Sequence, residues 1–205
     1  MKIKKWEVFL AIFLVLLLFM QVLLVDIIYD QKSLSEKLVR MHIIANSNTN
    51  DDQNLKLKVR DAVNMYLADK LYGCENRDEA AHIIKSSYNE IVDIAEGVLI
   101  ANGCNHTVDV KLSDEYYPTR HYVDFSLPAG EYSSLQIRIG EATGDNWWCV
   151  VFPPLCTSAA SAEDFSAMSL SDDEINLITS NNSEVVFKFG ILEFINKVRT
   201  GFWGE

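Results

Sequence analysis

The chain begins with a long apolar run. Residues 8–25 contain fifteen Val, Leu, Ile or Phe residues among eighteen positions and no charged residue. As a helix, this run would extend about 27 Å, which nearly matches the hydrocarbon core of a bilayer, and Ile27 and Ile28 can lengthen it. We therefore expect a membrane segment over residues 8–28. Three positive residues precede it and predict a cytoplasmic N-terminus, with the chain after Asp26 on the far side: Lys2, Lys4 and Lys5.

Residues 1–30 are predicted to form a signal-anchor or transmembrane segment, and residues 31–205 an extracytoplasmic domain. A cleavable signal sequence would have a shorter apolar core and small residues just after it. Residues 26–30 offer no such site, and the small residues Ser33 and Ser35 lie far downstream. The pattern favours an uncleaved anchor, with a cleaved signal sequence as the alternative.

Two amphipathic helices are predicted after a first strand over residues 39–45. The polar residues 46–50 favour a turn, and Thr49 and Asp52 have nearly the spacing of a capping box. They begin a helix of about twenty residues, which Gly73 ends. A second helix over residues 77–101 repeats apolar residues at steps of three and four. Together the two helices predict a helical hairpin.

The period of the pattern then changes to two residues. Apolar and polar positions alternate in residues 108–112, 120–125 and 135–139, which predicts three half-buried strands. Residues 126–132 are too few for a crossover helix, so the strands that they join are expected to be antiparallel neighbours. Residues 147–152 are apolar at every position and predict a fourth strand, which is either covered on both faces or docks a partner.

These elements predict an α+β fold, with an antiparallel sheet of four to five strands covered by the helical hairpin and preceded by the N-terminal helix. Residues 157–183 are rich in Ser, Ala and acidic residues and are expected to form an irregular surface segment. Residues 184–189 are a candidate last strand. A terminal helix follows that either packs on the sheet or lies on the membrane, with this apolar face: Ile191, Phe194, Ile195, Val198 and Phe202.

The charge of the chain argues against a nucleic-acid partner. The formal net charge is −11, of which the first 25 residues contribute +2, so the remainder carries −13. Nucleic-acid binding needs a basic surface because contacts to phosphate dominate the affinity. An acidic outer domain instead favours solubility.

Four cysteines allow few disulfide bonds. A helix over residues 77–101 would hold Cys74 and Cys104 about 37 Å apart, whereas a bridge permits only ~7 Å between Cα atoms. Cys149 and Cys156 lie on either side of two prolines and could meet across a turn. The alternative for this pair is two buried thiols.

Cysteine-hydrolase chemistry would need a thiolate beside an imidazole, which Cys149 or Cys156 with His42 or His121 could supply. Both cysteines have apolar neighbours and neither begins a helix, so thiols at these positions would be unreactive. The scattered cysteines also lack the short paired spacing of a zinc site. We expect no catalytic residue, no metal and no cofactor.

Trp147 and Trp148 are adjacent in the predicted fourth strand. Adjacent side chains of a strand point to opposite faces, so one indole can fill the core while the other faces outward. Trp is enriched among the residues that dominate protein interfaces, which makes an exposed indole a good anchor for a partner. The alternative is that a second layer covers the sheet and both rings are buried.

Two blocks of the sequence resemble the stage II sporulation protein R family. The first is Gly-Glu-x-x-Gly-x-Asn-Trp-Trp-Cys-Val-x-Phe-Pro-Pro-Leu-Cys over residues 140–156, preceded by Leu-Pro-Ala-Gly-Glu-Tyr over residues 127–132. The second is His-Ile-Ile-Ala-Asn-Ser over residues 42–47, followed by two related stretches within residues 52–63. The blocks occur in the right order, and the resemblance covers residues 38–156.

The resemblance implies a signalling protein of endospore-forming bacteria that is a ligand and not an enzyme. Such a protein is exported from the forespore into the space between two membranes, where it would be either membrane-anchored or released. There it contacts a membrane-embedded aspartic protease of the mother cell. The activated protease then cleaves the precursor of the early mother-cell sigma factor. The alternative function is an extracytoplasmic thiol-type or cell-wall hydrolase.

We hypothesise that two stretches form the surface that contacts the protease. One is the start of the fourth strand, and the other is the loop and helix start over residues 46–60. The predicted partner-binding residues are Asn46, Asp52, Lys56, Arg60, Asn146, Trp147 and Trp148.

Overall fold

The computed structural model describes residues 4–122, 125–155, 170–179, 188–194 and residue 197. Its fold is α+β, as predicted. The helices are α1 (Lys5–Ser35), α2 (Asn50–Lys70), α3 (Arg77–Ser86), α4 (Tyr88–Ala101) and α5 (Asp172–Thr179), and residues 188–194 are also helical. The strands are β1 (Val39–Ile44), β2 (Val108–Tyr117), β3 (Arg120–His121), β4 (Ser126–Leu127), β5 (Gly130–Ile139) and β6 (Asn146–Phe152).

The main sheet is mixed, with the strand order β2-β5-β1-β6. β5 is antiparallel to β2 and β1 is antiparallel to β6, but the central pair β1 and β5 is parallel. The prediction of a wholly antiparallel sheet is therefore wrong at its centre. Three helices separate β1 from β2, and this long connection lets β5 enter the sheet beside β1 in the same direction.

The predicted strand over residues 120–125 does not join the main sheet. Its first two residues form β3, which pairs with β4 in a separate two-stranded ribbon. The residues around 126–132 therefore do not connect two neighbours of the main sheet, because β5 pairs with β2 and β1 instead. That expectation is wrong.

The helices α2, α3 and α4 cover one face of the main sheet. Thr49 caps α2 as predicted, since its hydroxyl accepts a hydrogen bond from the Asp52 amide. The predicted helix over residues 77–101 is interrupted at Ser87, which separates α3 from α4. The Ser86 hydroxyl donates to the Ile83 carbonyl, a local bond that competes with regular helix geometry. The predicted hairpin is thus present only as the packed pair α2 and α4, with α3 as an additional segment.

The main hydrophobic core lies between these helices and the sheet. Alternate residues of β1 point into it, as expected for a strand with one face on the helices. Fully buried members include Met41, Ile43, Val59, Val63, Leu67, Ile84, Ile91, Leu99, Leu135 and Ile137.

A second layer covers part of the opposite face of the sheet. It consists of the end of α1, the β3 and β4 ribbon, and α5. The second hydrophobic cluster there includes Leu34, Leu38, Tyr117, Leu127, Tyr132, Val150 and Ile178. The sheet is therefore sandwiched at this position and not open to solvent.

The helix α1 has two parts with different surroundings. It is long and apolar enough to cross a membrane, and the apolar side chains described in residues 8–25 are mostly exposed, as Phe9 (74%) and Val25 (64%) illustrate. Beyond this run, Ile27 and Leu34 are buried, and α1 continues to Ser35 without a break. The last turns of α1 therefore belong to the core of the domain.

Glu174 of α5 ties α5 to the end of α1. Its carboxylate accepts hydrogen bonds from Ser33 Oγ at 2.7 Å, from Lys37 Nζ at 2.6 Å and from the Ser171 amide at 2.7 Å. Burial favours the neutral acid, but these donors outweigh burial and hold the pKa of Glu174 below its usual value. The carboxylate is thus charged at neutral pH.

We expect this contact to weaken in acid. Because the folded-state pKa of Glu174 lies below the unfolded value of 4.5, its stabilising contribution is present above that pH and is lost as the pH falls through the folded pKa. Glu174→Gln should remove this part of the pH dependence, which appears as the pH falls below about 4.5. Thermal unfolding of the full chain in detergent at several pH values would measure it, and an unchanged pH profile in Glu174→Gln would contradict it.

The C-terminal third departs from the predicted pattern where it is described. The segment over residues 157–183 was expected to be irregular, but it contains α5. Residues 157–169 and 180–183 of this segment lie outside the described ranges. Lys188 and Phe189 of the predicted last strand are helical, and residues 184–187 lie outside the described ranges. Of the predicted terminal apolar face, Ile191 is half-buried and Phe194 is exposed, while the remaining positions are not described.

Candidate functional site at the start of β6

Trp147 and Trp148 lie on opposite faces of β6, as predicted, but neither ring stands free. Trp147 faces the helix layer, where the Arg60 guanidinium lies 4.3 Å from the centre of its ring. Trp148 faces the second layer and stacks on His42, with 3.8 Å between ring centres. Both indoles are half-buried, so the structure combines features of the two alternatives.

Most of the predicted partner-binding residues meet at one end of the sheet. We call this region the tip and define it as residues 45–60 together with residues 140–147. It joins the loop after β1, the first turns of α2 and the turn between β5 and β6. Six of the seven predicted residues lie in the tip, whereas Trp148 points to the opposite face of β6. The tip is exposed at Asn48, Glu141, Thr143, Asp145 and Asn146.

Asn46 connects the two segments of the tip. Its side-chain oxygen accepts from the Glu141 amide at 3.0 Å, and its side-chain nitrogen donates to Asp52 at 2.8 Å. Its backbone oxygen accepts from the Thr143 hydroxyl at 2.8 Å and from the Thr143 amide at 3.2 Å. Asn46 is therefore a structural centre of the tip and exposes only part of its side chain.

Asp52 and Lys56 hold the helix start in the same arrangement. Hydrogen bonds from Ser47 and Asn46 lower the pKa of Asp52, so its carboxylate is charged at neutral pH. Lys56 is buried, which lowers its pKa. Its ammonium donates to Gln53 Oε1 at 2.6 Å and to the Asp145 carbonyl at 2.8 Å. The tip is thus fixed by charged groups whose hydrogen bonds are satisfied within it.

Gly144 allows the two segments of the tip to approach each other. A Cβ atom at this position would overlap the backbone carbonyl of Ser47, which cannot move aside as a flexible side chain could. We expect Gly144→Ala to destabilise the fold by about 1–3 kcal/mol and to separate the turn from the loop. Thermal unfolding would measure the loss. Gly97→Ala is a control, because a Cβ atom there meets nothing within 4 Å, and equal effects of the two changes would contradict the prediction.

A buried polar cluster lies on the other face of the sheet, beneath Trp148. Arg40 is 0% exposed and lies against the rings of Tyr117 and Tyr132, at 3.9 and 4.9 Å from their centres. Its Nη2 donates to the Tyr122 hydroxyl at 2.8 Å. Among the described residues, Nε and Nη1 of Arg40 have no hydrogen-bond partner.

The pair His42 and Glu115 completes this polar cluster. His42 Nδ1 lies 2.9 Å from Glu115 Oε1, and the Ser134 hydroxyl donates to Glu115 Oε2 at 2.8 Å. Burial favours the neutral acid, but the hydrogen bonds from His42 and Ser134 outweigh it and lower the pKa of Glu115. Burial also raises the pKa of Tyr117, which keeps this phenol protonated.

The polar cluster could have been recognised from the sequence of β1, but it was not among the predicted sites. Arg40 and His42 occupy alternate positions of an otherwise apolar strand, which places both on the face away from the helices. Two ionisable side chains on one face of a central strand indicate either an exposed face or a polar core. The structure shows the second case.

The cysteines do not form the nucleophilic arrangement that a thiol hydrolase would need at β6. Cys149 is in a disulfide bond, so it has no free thiol, and it faces the helix layer while His42 faces the other side. Its predicted partner Cys156 lies outside the described residues. Cys74 and Cys104 are free, as predicted, although the unbroken helix on which that prediction rested is interrupted at Ser87. No group of three or more potential metal ligands occurs within the described residues.

Comparison with known proteins identifies relatives of this chain. A model of the family described as stage II sporulation protein R (spore_II_R) matches residues 35–162, which include both the tip and the polar cluster. The stage II sporulation protein R of Bacillus subtilis (strain 168) is 38% identical over 121 residues, which cover 59% of this chain and 54% of that protein. The chain therefore matches about half the length of this relative. No solved structure matches the chain.

Proposed function

The chain belongs to the stage II sporulation protein R family, and from this premise we propose that it is an exported ligand that activates a membrane-embedded aspartic protease of the mother cell. Membership supports a role in sporulation signalling. The activated protease would cleave the precursor of the early mother-cell sigma factor. In this role the chain binds and performs no chemistry itself.

The observation that carries the proposal is the construction of the tip. Hydrogen bonds of Asn46 and Lys56 join the two segments of the tip, and Asp52 accepts a hydrogen bond from Asn46 within the first segment. A surface held in one conformation before binding loses little conformational entropy on association, which favours affinity. A ligand activates its target by binding the active state better than the inactive one, and a rigid surface can make that distinction.

The long apolar part of α1 supports export. With the three N-terminal lysines on the cytoplasmic side, the domain would lie outside the forespore membrane, either anchored there or released into the space between the membranes. The protease would then be reached from that space. The tip would contact it because exposed residues of both segments meet there, among them Asn48, Glu141 and Asn146.

Coupled expression in a host that does not sporulate would test the function. The full chain, the protease and the sigma factor precursor are produced together, and the cleaved precursor is detected by immunoblotting. We expect cleavage only when all three are present, and none when the catalytic aspartates of the protease are replaced.

Two results would contradict the proposal. Precursor cleavage that is equal with and without the chain would show that the chain is not an activator. Cleavage by the chain in the absence of the protease would favour the alternative of an enzyme.

A further inference from the structure

Several large apolar side chains remain exposed after the membrane run of α1 (residues 8–25), at and beyond the end of the predicted membrane segment 8–28. Ile28 is 45% exposed and Tyr29 is 71% exposed. Both follow Asp26, which is the first charged residue beyond residues 8–25. Phe194 of the helical segment 188–194 is 67% exposed. Trp and Tyr are enriched at the level of the lipid head groups because their rings are apolar and carry a polar group.

The segment 188–194 lies beside this part of α1. Lys188 Nζ is 3.6 Å from Asp30 Oδ2. Leu192 lines the same groove of about 480 Å³ as Ile28 and Gln31. Phe194 follows Leu192 by two residues, a rise of about 3 Å along the helix, so it lies near the point where α1 enters the domain.

The docked turns of α1 prevent the domain from swinging freely on its anchor. Leu34 is 0% exposed within the second cluster, and a Cβ atom at Gly130 would overlap the Gln31 side chain, so α1 and β5 approach closely. The helix has no break between its membrane run and these contacts. The orientation of the anchor thus sets the orientation of the sheet.

The strand register places the tip at the other end of the sheet. Three residues separate the end of α1 from the start of β1, and β5 begins at Gly130, beside Gln31. The tip follows the end of β1, where Ile44 pairs with Asn146. At 3.2–3.4 Å per residue, the six residues of β1 separate the two ends by about 20 Å.

We propose that the lipid bilayer covers the surface formed by Ile28, Tyr29 and Phe194 and that the domain stands on its own membrane with the tip directed away from it. The argument is the continuity of this surface with the membrane run of α1. This proposal rests on the proposed function and applies to the anchored form of the chain. An anchored ligand in this orientation presents its tip to a protein in a facing membrane.

Fluorescence quenching by lipid would test this orientation. The full chain is reconstituted in phosphatidylcholine vesicles whose acyl chains carry bromine, which quenches nearby indoles. Tyr29→Trp and Phe194→Trp each add one indole to the proposed lipid surface. Ile100→Trp is the matched control, because Ile100 is 64% exposed and lies far from the proposed lipid surface. It is near the end of α4, and the chain continues from there to the start of β2, at the tip end of the sheet.

We expect the fluorescence added at positions 29 and 194 to be largely quenched and the fluorescence added at position 100 to persist. Quenching at position 29 without quenching at position 194 would overturn the proposal, because the domain would then be tethered without a fixed face. Equal quenching at position 100 would also overturn it. Neither protease nor precursor is present, so failure here leaves the activating function to be decided by the processing assay.

Discussion

Arg40→Ala is expected to destabilise the protein by about 3–5 kcal/mol, a large fraction of the stability of a domain of this size. Arg40 is completely buried, and its truncation leaves a cavity between the rings of Tyr117 and Tyr132. It also removes the charged donor to the Tyr122 hydroxyl. Urea unfolding of the full chain in detergent, followed by near-ultraviolet circular dichroism, would measure the loss.

Arg40→Met separates the contribution of charge from that of volume. A methionine side chain fills most of the same space without bringing a charge into the core, and replacement of buried ions by apolar groups of similar volume is often neutral. We expect a loss of less than about 1.5 kcal/mol for this variant. An Arg40→Ala variant within about 1 kcal/mol of the parent protein would show that Arg40 does not organise this face.

The local elements were predictable because their causes are local. The cap at Thr49 depends on a side chain three residues from the amide that it bonds, and both are read directly from the sequence. The fourth strand follows from an unbroken apolar run, which indicates burial on both faces. The opposite placement of Trp147 and Trp148 follows from the geometry of any strand.

The pairing of the strands was less predictable because it depends on contacts between distant residues. The alternation in β5 is compatible with any neighbouring strand that has one apolar face. Nothing in the alternation itself identifies β1 as that strand. The parallel pair β1 and β5 joins residues more than ninety positions apart, such as Met41 and Leu135. The prediction that residues 120–125 join the main sheet failed for the same reason. Their alternation indicates a strand but does not identify the strand with which it pairs, and β3 pairs with β4 in a separate ribbon.

The candidate site was predicted in part. The sequence resemblance and the polar turn residues placed Asn46, Asp52 and Lys56 with the start of β6, and the structure brings them together. Much of their hydrogen bonding is directed inward, and their part in binding a partner stays a prediction. The polar cluster was missed because Arg40 becomes a core residue only when three tyrosines from later segments surround it.

The tip offers one exposed position at which its role in signalling can be separated from its role in stability. Asn146 is exposed at the start of β6, and no hydrogen bond of its side chain holds the tip together among the described contacts. Asn146→Arg places a long cation in the proposed contact surface. Surface substitutions of this kind usually change stability by less than about 0.5 kcal/mol.

We expect Asn146→Arg to reduce precursor processing at least about tenfold, which corresponds to roughly 1.4 kcal/mol of lost binding free energy. Residues near the centre of an interface dominate affinity, and an oversized side chain there prevents close packing. Asn89→Arg is the matched control, because it makes the same change at an exposed position of α4 outside the tip. Dose-dependent processing in the coupled expression assay, with the amount of each variant measured in the same membranes, gives the comparison. Undiminished processing with Asn146→Arg would exclude Asn146 from the contact. An equal loss with both variants would indicate a general effect of added charge and not recognition by the tip.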